Sequence, residues 1–196
     1  MRQREVETVL GVQEFKKTIF LVCGMSGAGK DSLVNTACGE LGLKQLRSYA
    51  TRPKRLKEGN THTFITPDEI ENYMHDMIAY TKIGAYEYFA TKQQLYDCDF
   101  YIIDYNGIKY MKESNVDLSD FRFITIFINV PRNIREERVL SHRSDDQITF
   151  YKRCFNEDVQ FQEMLVKGDF DYAISNIDFD KAYKVFASIV ESELQF

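Results

Sequence analysis

The chain has 196 residues, 44% of them hydrophobic and 28% charged, which is the make-up of one ordinary globular domain with ample length for a core. A net charge of −5 excludes a surface that coats nucleic acid, so any anionic ligand must be held by local clusters of Lys and Arg. With no leader-like apolar start and no bilayer-length run, no membrane partner is expected, and four scattered cysteines (Cys23, Cys38, Cys98, Cys154) without zinc or redox spacing read as core thiols of a cytoplasmic protein.

Residues 1–16 read as a charged extension ahead of a first core strand expected at 18–23, Ile19-Phe20-Leu21-Val22-Cys23. Gly24-Met25-Ser26-Gly27-Ala28-Gly29-Lys30 then runs straight into a helix expected over 30–41, with Leu33, Val34 and Ala37 on one face. Glycines let the backbone wrap tightly and turn its N–H groups inward. The helix start adds the positive end of its dipole, and Lys30 adds a full charge. Strand, glycine loop, lysine and helix in this order make a cradle for nucleotide phosphates, so Gly24, Ser26, Gly27, Ala28, Gly29, Lys30, Asp31 and Ser32 are the candidate contacts. A plain strand-to-helix turn with no ligand is the competing reading. The usual residue after the lysine is Ser or Thr, whose hydroxyl binds Mg²⁺. Here Asp31 stands there and Ser32 follows; a carboxylate is an even harder oxygen ligand, which makes Asp31 the candidate for Mg²⁺.

A basic loop from Arg47 to Lys57 comes next. Arg52 and Arg55 lie three apart in it, a spacing that lets two planar forks grip one phosphate; in isolation a solvated basic loop is the better explanation, and the glycine loop upstream reverses that. Thr66-Pro67-Asp68-Glu69 has the Thr cap, the first-turn Pro and the Glu of a capping box, predicting a helix over 67–76. Short strands are expected at 77–80 and 86–90, and a buried strand at 100–103 ending in Asp104. The longest β-branched and aromatic run, 121–130, predicts the strongest strand. Pro131 opens a charged helix over 132–142. A second helix is expected over 146–167, a last strand at 172–174 and a closing helix over 178–193. Buried strands alternating with helices predict a parallel α/β sheet covered on both faces. Gly24, Asp104 and Pro131 all fall at carboxyl ends of strands, where ligands bind in such sheets. His75 and His142 have no partner spacing for a metal and read as surface residues.

Taken together these residues resemble the guanylate kinase family over nearly all of 18–196. The resemblance rests on the glycine loop followed by Ser48, Thr51-Arg52-Pro53-Lys54-Arg55, Glu58, His62 and Phe64, then Ile102-Ile103-Asp104-Tyr105-Asn106-Gly107, and finally Asn176 before Asp178 and a terminal helix. It implies a P-loop three-layer sandwich with an inserted monophosphate-binding subdomain at about 47–99 and a helical lid at about 135–156, on a domain spanning 17–196. It implies an ATP-dependent, Mg²⁺-using kinase that passes the γ-phosphoryl of ATP to GMP, dGMP or a related nucleoside monophosphate. Arg52, Arg55, His62 and Tyr88 would hold the acceptor's phosphate, Ser48 and Asp104 would read its base, and Asn176 would lie on the adenine side. Lys30, Arg138, Arg143 and Arg153 would stabilise the transferred phosphoryl; Arg138 stands one residue further from Arg143 than in the family, which leaves Arg135 as a rival. The alignment that matches Tyr88 puts Ala79 at a glutamate position and Ala90 at a hydroxyl position of the guanine-reading set. Glu87 lies nearby as a substitute carboxylate, although strand alternation turns it away from its even-numbered neighbours. A kinase for another nucleotide or for a sugar phosphate such as ribose 1,5-bisphosphate is therefore a second expectation. An inert phosphopeptide-binding relative is a third, and the oligomeric state is left open.

Overall fold

The computed structural model describes residues 16–54, 62–142 and 147–195; the extension before residue 16, Arg55, Glu58 and Arg143 lie outside the described residues, as do the side chains of His142 and Arg153. In chain order the elements are β1 (Lys17–Cys23), α1 (Lys30–Leu41), β2 (Ser48–Ala50), β3 (His62–Phe64), a 3-10 helix (Pro67–Asp76), β4 (Met77–Ile83), β5 (Tyr86–Thr91) and α2 (Lys92–Tyr96). They continue as β6 (Phe100–Ile102), α3 (Tyr105–Glu113), β7 (Phe121–Asn129), α4 (Arg132–His142), α5 (Gln147–Lys167), β8 (Tyr172–Ser175) and α6 (Phe179–Leu194).

β1, β6, β7 and β8 form one parallel sheet in the order β6-β1-β7-β8. Its covering on both faces follows from the two-residue period of a strand. Phe20 and Val22 of β1 join a core with Leu33, Val34 and Ala37 of α1 and Ala182, Phe186 and Val190 of α6. Ile19, Leu21 and Cys23 face the other way, against Ile108 and Met111 of α3 and Phe161 and Met164 of α5. Residues 182, 186 and 190 recur every fourth position, the spacing of one helix stripe. A fully buried phenylalanine such as Phe186 contributes about 1.5–3 kcal/mol through its area alone. The result is the expected α/β architecture with a parallel sheet and helices on both sides.

A second sheet, in the order β3-β2-β5-β4, is built entirely from residues 48–91. β2 and β3 pair in parallel, and β5 pairs antiparallel to both β2 and β4. β4 and β5 are a hairpin turning at Gly84, whose φ of +62° suits the turn. They extend beyond the strands expected at 77–80 and 86–90, because Thr81-Lys82-Ile83 pairs with Tyr86-Glu87-Tyr88 around that turn.

Three local expectations change. Residues 67–76 form a 3-10 helix rather than an α-helix: none of its residues is buried and its ring contacts come from Tyr73 alone, against Tyr49 and Phe89, so little packing selects the α form. Its capping box is present, with the Glu69 carboxylate accepting from the Thr66 N–H at 2.7 Å. The basic loop contains a strand, β2, which pairs with a further short strand, β3. The buried strand at 100–103 ends one residue earlier, and Asp104 caps a helix, α3, that the sequence patterns above do not predict.

Candidate active site

Three carboxyl ends of the central sheet meet at the glycine loop. Gly24 has φ +144°, and a Cβ on it would lie 2.4 Å from the Ile128 carbonyl oxygen of β7. Gly29 caps α1 at φ +83°, and a Cβ there would lie 2.4 Å from Asn176 Nδ2, just past β8. Both positions therefore require glycine for backbone conformation and for close approach. Asn176 is buried, donates from Nδ2 to the Ala28 carbonyl at 2.8 Å, and leaves its Oδ1 without a hydrogen-bond partner among the described residues. Lys30 curls back over the loop, its Nζ 2.6 Å from the Gly24 carbonyl and 3.2 Å from that of Met25. Asp31 is half-buried in the first turn of α1 and Ser32 beside it is exposed.

The helices after β7 lean on the same loop. Arg135 of α4 is buried, donates from Nε to the Val130 carbonyl at 3.1 Å and from Nη1 to the Ser26 carbonyl at 3.3 Å. Arg138 donates to the Ile177 carbonyl at 3.1 Å, and its Nη1 lies 3.9 Å from where a Gly29 Cβ would stand. The geometry thus brings both rivals for the first lid arginine to the loop, Arg135 against Ser26 and Arg138 against Gly29 and the Asn176 turn. From α5, the Glu157 carboxylate accepts from the Ser26 N–H at 2.8 Å and from its hydroxyl at 2.5 Å. Neither Glu157 nor its contact is visible in the sequence, because a Glu in a charged helix carries no signal of what it faces.

A second constellation lies on one face of the small sheet. Pleating puts Ser48 and Ala50 of β2 on the same side, Ser48 pairs with His62 of β3, and Ala50 pairs with Tyr88 of β5. The Ser48 hydroxyl and His62 Nδ1 are 2.9 Å apart, and the His62 and Tyr88 rings meet edge to face at 5.6 Å. Arg52 follows β2, is 7% exposed, and lays its guanidinium over Phe64 at 5.2 Å. Asp104, from the carboxyl edge of the central sheet, closes this face. Its Oδ1 accepts from the Gly107 N–H at 2.7 Å and the Thr81 hydroxyl at 2.9 Å. Thr81 stands opposite Tyr88 in the hairpin, which ties the aspartate to the same face of the small sheet. Burial pushes the Asp104 carboxyl above the usual aspartate range, against the pull of those two bonds and the nearby Lys30. Ser48, Arg52, His62, Tyr88 and Asp104 are therefore neighbours, drawn from three strands, the segment after one of them and a helix cap.

Thr81 escapes sequence reasoning because its meaning depends on β4 reaching past Tyr80. Ala79 and Ala90 stand opposite one another in β4 and β5 and are both sealed from solvent. Glu87 does point to the other face, where its carboxylate accepts from the Tyr80 hydroxyl at 2.6 Å. That bond pushes the Tyr80 phenol up to about 12. The four cysteines are free thiols, and burial raises Cys23 and Cys98 to about 12, as core thiols require. His75 is exposed. Among the described residues no cluster of three His, Cys, Asp or Glu forms a metal cage, and no helix is long and apolar enough to cross a membrane.

The family model for guanylate kinases matches residues 16–193. The chain belongs to the guanylate kinase family. It is accordingly a phosphotransferase of the nucleoside monophosphate kinase type. Among curated guanylate kinases, that of Mycoplasma genitalium is 28% identical over 188 residues, covering 89% of this chain and 75% of the relative. That of Vibrio parahaemolyticus is 27% identical over 191 residues, covering 91% and 89%. The crystal structure of guanylate kinase from Anaplasma phagocytophilum superposes with a TM-score of 0.60 at 18% identity, covering 91% of this chain and 87% of that one, and so shares the fold.

Proposed function

We propose that this guanylate kinase family member transfers the γ-phosphoryl group of ATP to a nucleoside monophosphate, with GMP or dGMP as the first candidates. The observation that carries the reading is that two candidate anion sites share Asp104. Lys30 of the glycine loop lies within electrostatic reach of it, and Thr81, opposite Tyr88 beside His62, is hydrogen-bonded to it. Asn176, with a buried oxygen lacking a protein partner among the described residues, suits the donor side next to Gly29.

The nucleophile would be an oxygen of the acceptor phosphate, already anionic at neutral pH, so no residue need act as general base. The chain's task is to hold two polyanions together and to balance charge on the transferred group. Lys30 and the loop amides do this from below, and Arg138, Arg143 and Arg153 from the lid; Arg55 would join Arg52 on the acceptor. Closing the lid keeps water from taking the phosphoryl group. Asp31 and Ser32 offer hard oxygens suited to Mg²⁺, which usually keeps several waters and substrate phosphates as ligands rather than a protein cage. Such an ion supplies charge neutralisation on the phosphates.

One observation favours a second reading of the acceptor. At Ala79 and Ala90 the cross-strand pair offers no hydrogen-bonding side chain to a base, while a charge-assisted bond contributes roughly 1.5–3 kcal/mol. A kinase for a different base, or for a sugar phosphate, fits that loss. ADP release measured across ribo- and deoxynucleoside monophosphates and ribose 1,5-bisphosphate decides between them. Preference for GMP or dGMP supports the first reading, and preference for another acceptor supports the second. No release with any acceptor refutes both.

A further inference from the structure

Glu157 lies on α5, just past the segment expected to form the lid, and its carboxylate is spent on the glycine loop. It takes both donors of Ser26, the amide at 2.8 Å and the hydroxyl at 2.5 Å. Arg135, a cation from the neighbouring helix, holds the same residue by its carbonyl, at 3.3 Å. Ser26 is thus gripped on its donor side by α5 and on its acceptor side by α4. A carboxylate accepting from a loop N–H and O–H does what a phosphate oxygen would do there. Glu157 also adds to the upward push on Asp104, which sets it within electrostatic reach of the acceptor face. Its negative charge opposes any triphosphate entering the loop, because like charges at contact repel even when screened by water.

We propose that Glu157 is a positioning residue for the phosphoryl donor: an α5 carboxylate that holds Ser26 in place of a phosphate and gives it up when the triphosphate enters. The proposal rests on the nucleotide reading of the loop. The carboxylate needs no chemical step of its own; it exchanges one set of hydrogen bonds for another.

The test is a calorimetric titration of the full chain with Mg²⁺ and the non-hydrolysable analogue adenylyl imidodiphosphate, comparing wild type, Glu157→Gln and Glu157→Ala. Both variants are expected to bind the analogue about fivefold more tightly, the size of one water-screened charge contact. Without nucleotide both are expected to melt at lower temperature than wild type, because the Ser26 contact is weakened or gone. A purely structural Glu157 would give the lower melting temperature with unchanged or weaker binding. That result in both variants overturns the proposal while leaving the nucleotide reading intact. Absence of binding in wild type and variants alike overturns the nucleotide reading and this proposal with it.

Discussion

The glycine-loop edge of the central sheet, the proposed donor side, and the proposed acceptor face of the small sheet are built by opposite means. Around Gly24–Lys30 the working parts are backbone: positive φ angles, amides at a helix start, and two points where only a missing Cβ lets Gly24 meet Ile128 and Gly29 meet Asn176. On the acceptor face the working parts are side chains carried by β2, β3, β4 and β5, with Asp104 arriving from another sheet. A backbone site tolerates little change in sequence and is compact along the chain. A side-chain site can exchange one contact at a time, so on the proposed reading it is where acceptor preference can drift while the backbone-built loop is kept.

Breaking the donor side should cost most. Lys30→Ala is expected to lower turnover by about two to three orders of magnitude, the usual cost of removing a preorganised charge stabiliser, with an unchanged far-UV circular dichroism spectrum. Turnover within a factor of a few of wild type would end the role given to that lysine. Arg52→Ala, on the acceptor side, should raise KM for the monophosphate by about 10- to 100-fold, as expected for a lost charge-assisted bond, while KM for ATP stays put. A shift in the ATP constant instead would mean that the two sites are not separable.

Gly29→Ala sharpens the contrast from the backbone side. A non-glycine residue at φ +83° costs about 1–2 kcal/mol, and the new Cβ must push Asn176 aside. Melting should drop by roughly 2–4 °C per kcal/mol, with weaker ATP binding and no change in acceptor KM. The smallest effect is reserved for Asp104→Asn. A carboxyl raised by burial keeps its proton longer when folded than when unfolded, so wild-type stability falls as pH rises above the ordinary aspartate range. The amide has no such slope, so the melting temperature of the variant relative to wild type should increase by a few degrees from about pH 4 to about pH 7. A difference that stays flat or reverses would show that the two hydrogen bonds and Lys30 outweigh burial.

The same division decides which parts of the molecule are legible in the sequence. The strand, loop and helix from Lys17 to Leu41 are legible because their signals are local: an apolar run, glycines at fixed offsets, a stripe at 33, 34 and 37. The parallel sheet follows from alternation alone. β2 and β3 stay hidden because three-residue strands, one inside a basic segment and one just after it, owe their existence to pairing with each other and, for β2, with β5 rather than to propensity. α3 has an ordinary helix start in Asp104, whose side chain accepts from the Gly107 N–H, but an Asp closing a buried strand reads as readily as a ligand contact. Thr81, Arg135 and Glu157 pose a different difficulty. Each acts through a contact between residues 23 to 131 positions apart, which no spacing rule encodes.

Phosphorus NMR of the full chain with ATP, Mg²⁺ and one monophosphate at a time follows the transferred group itself. The expected result is that ADP and a diphosphate of one acceptor appear together and in equal amounts, and that Lys30→Ala slows the appearance of both by about two to three orders of magnitude. Inorganic phosphate as the only product, or an unchanged ATP spectrum with every acceptor, would contradict transfer between the two anion sites.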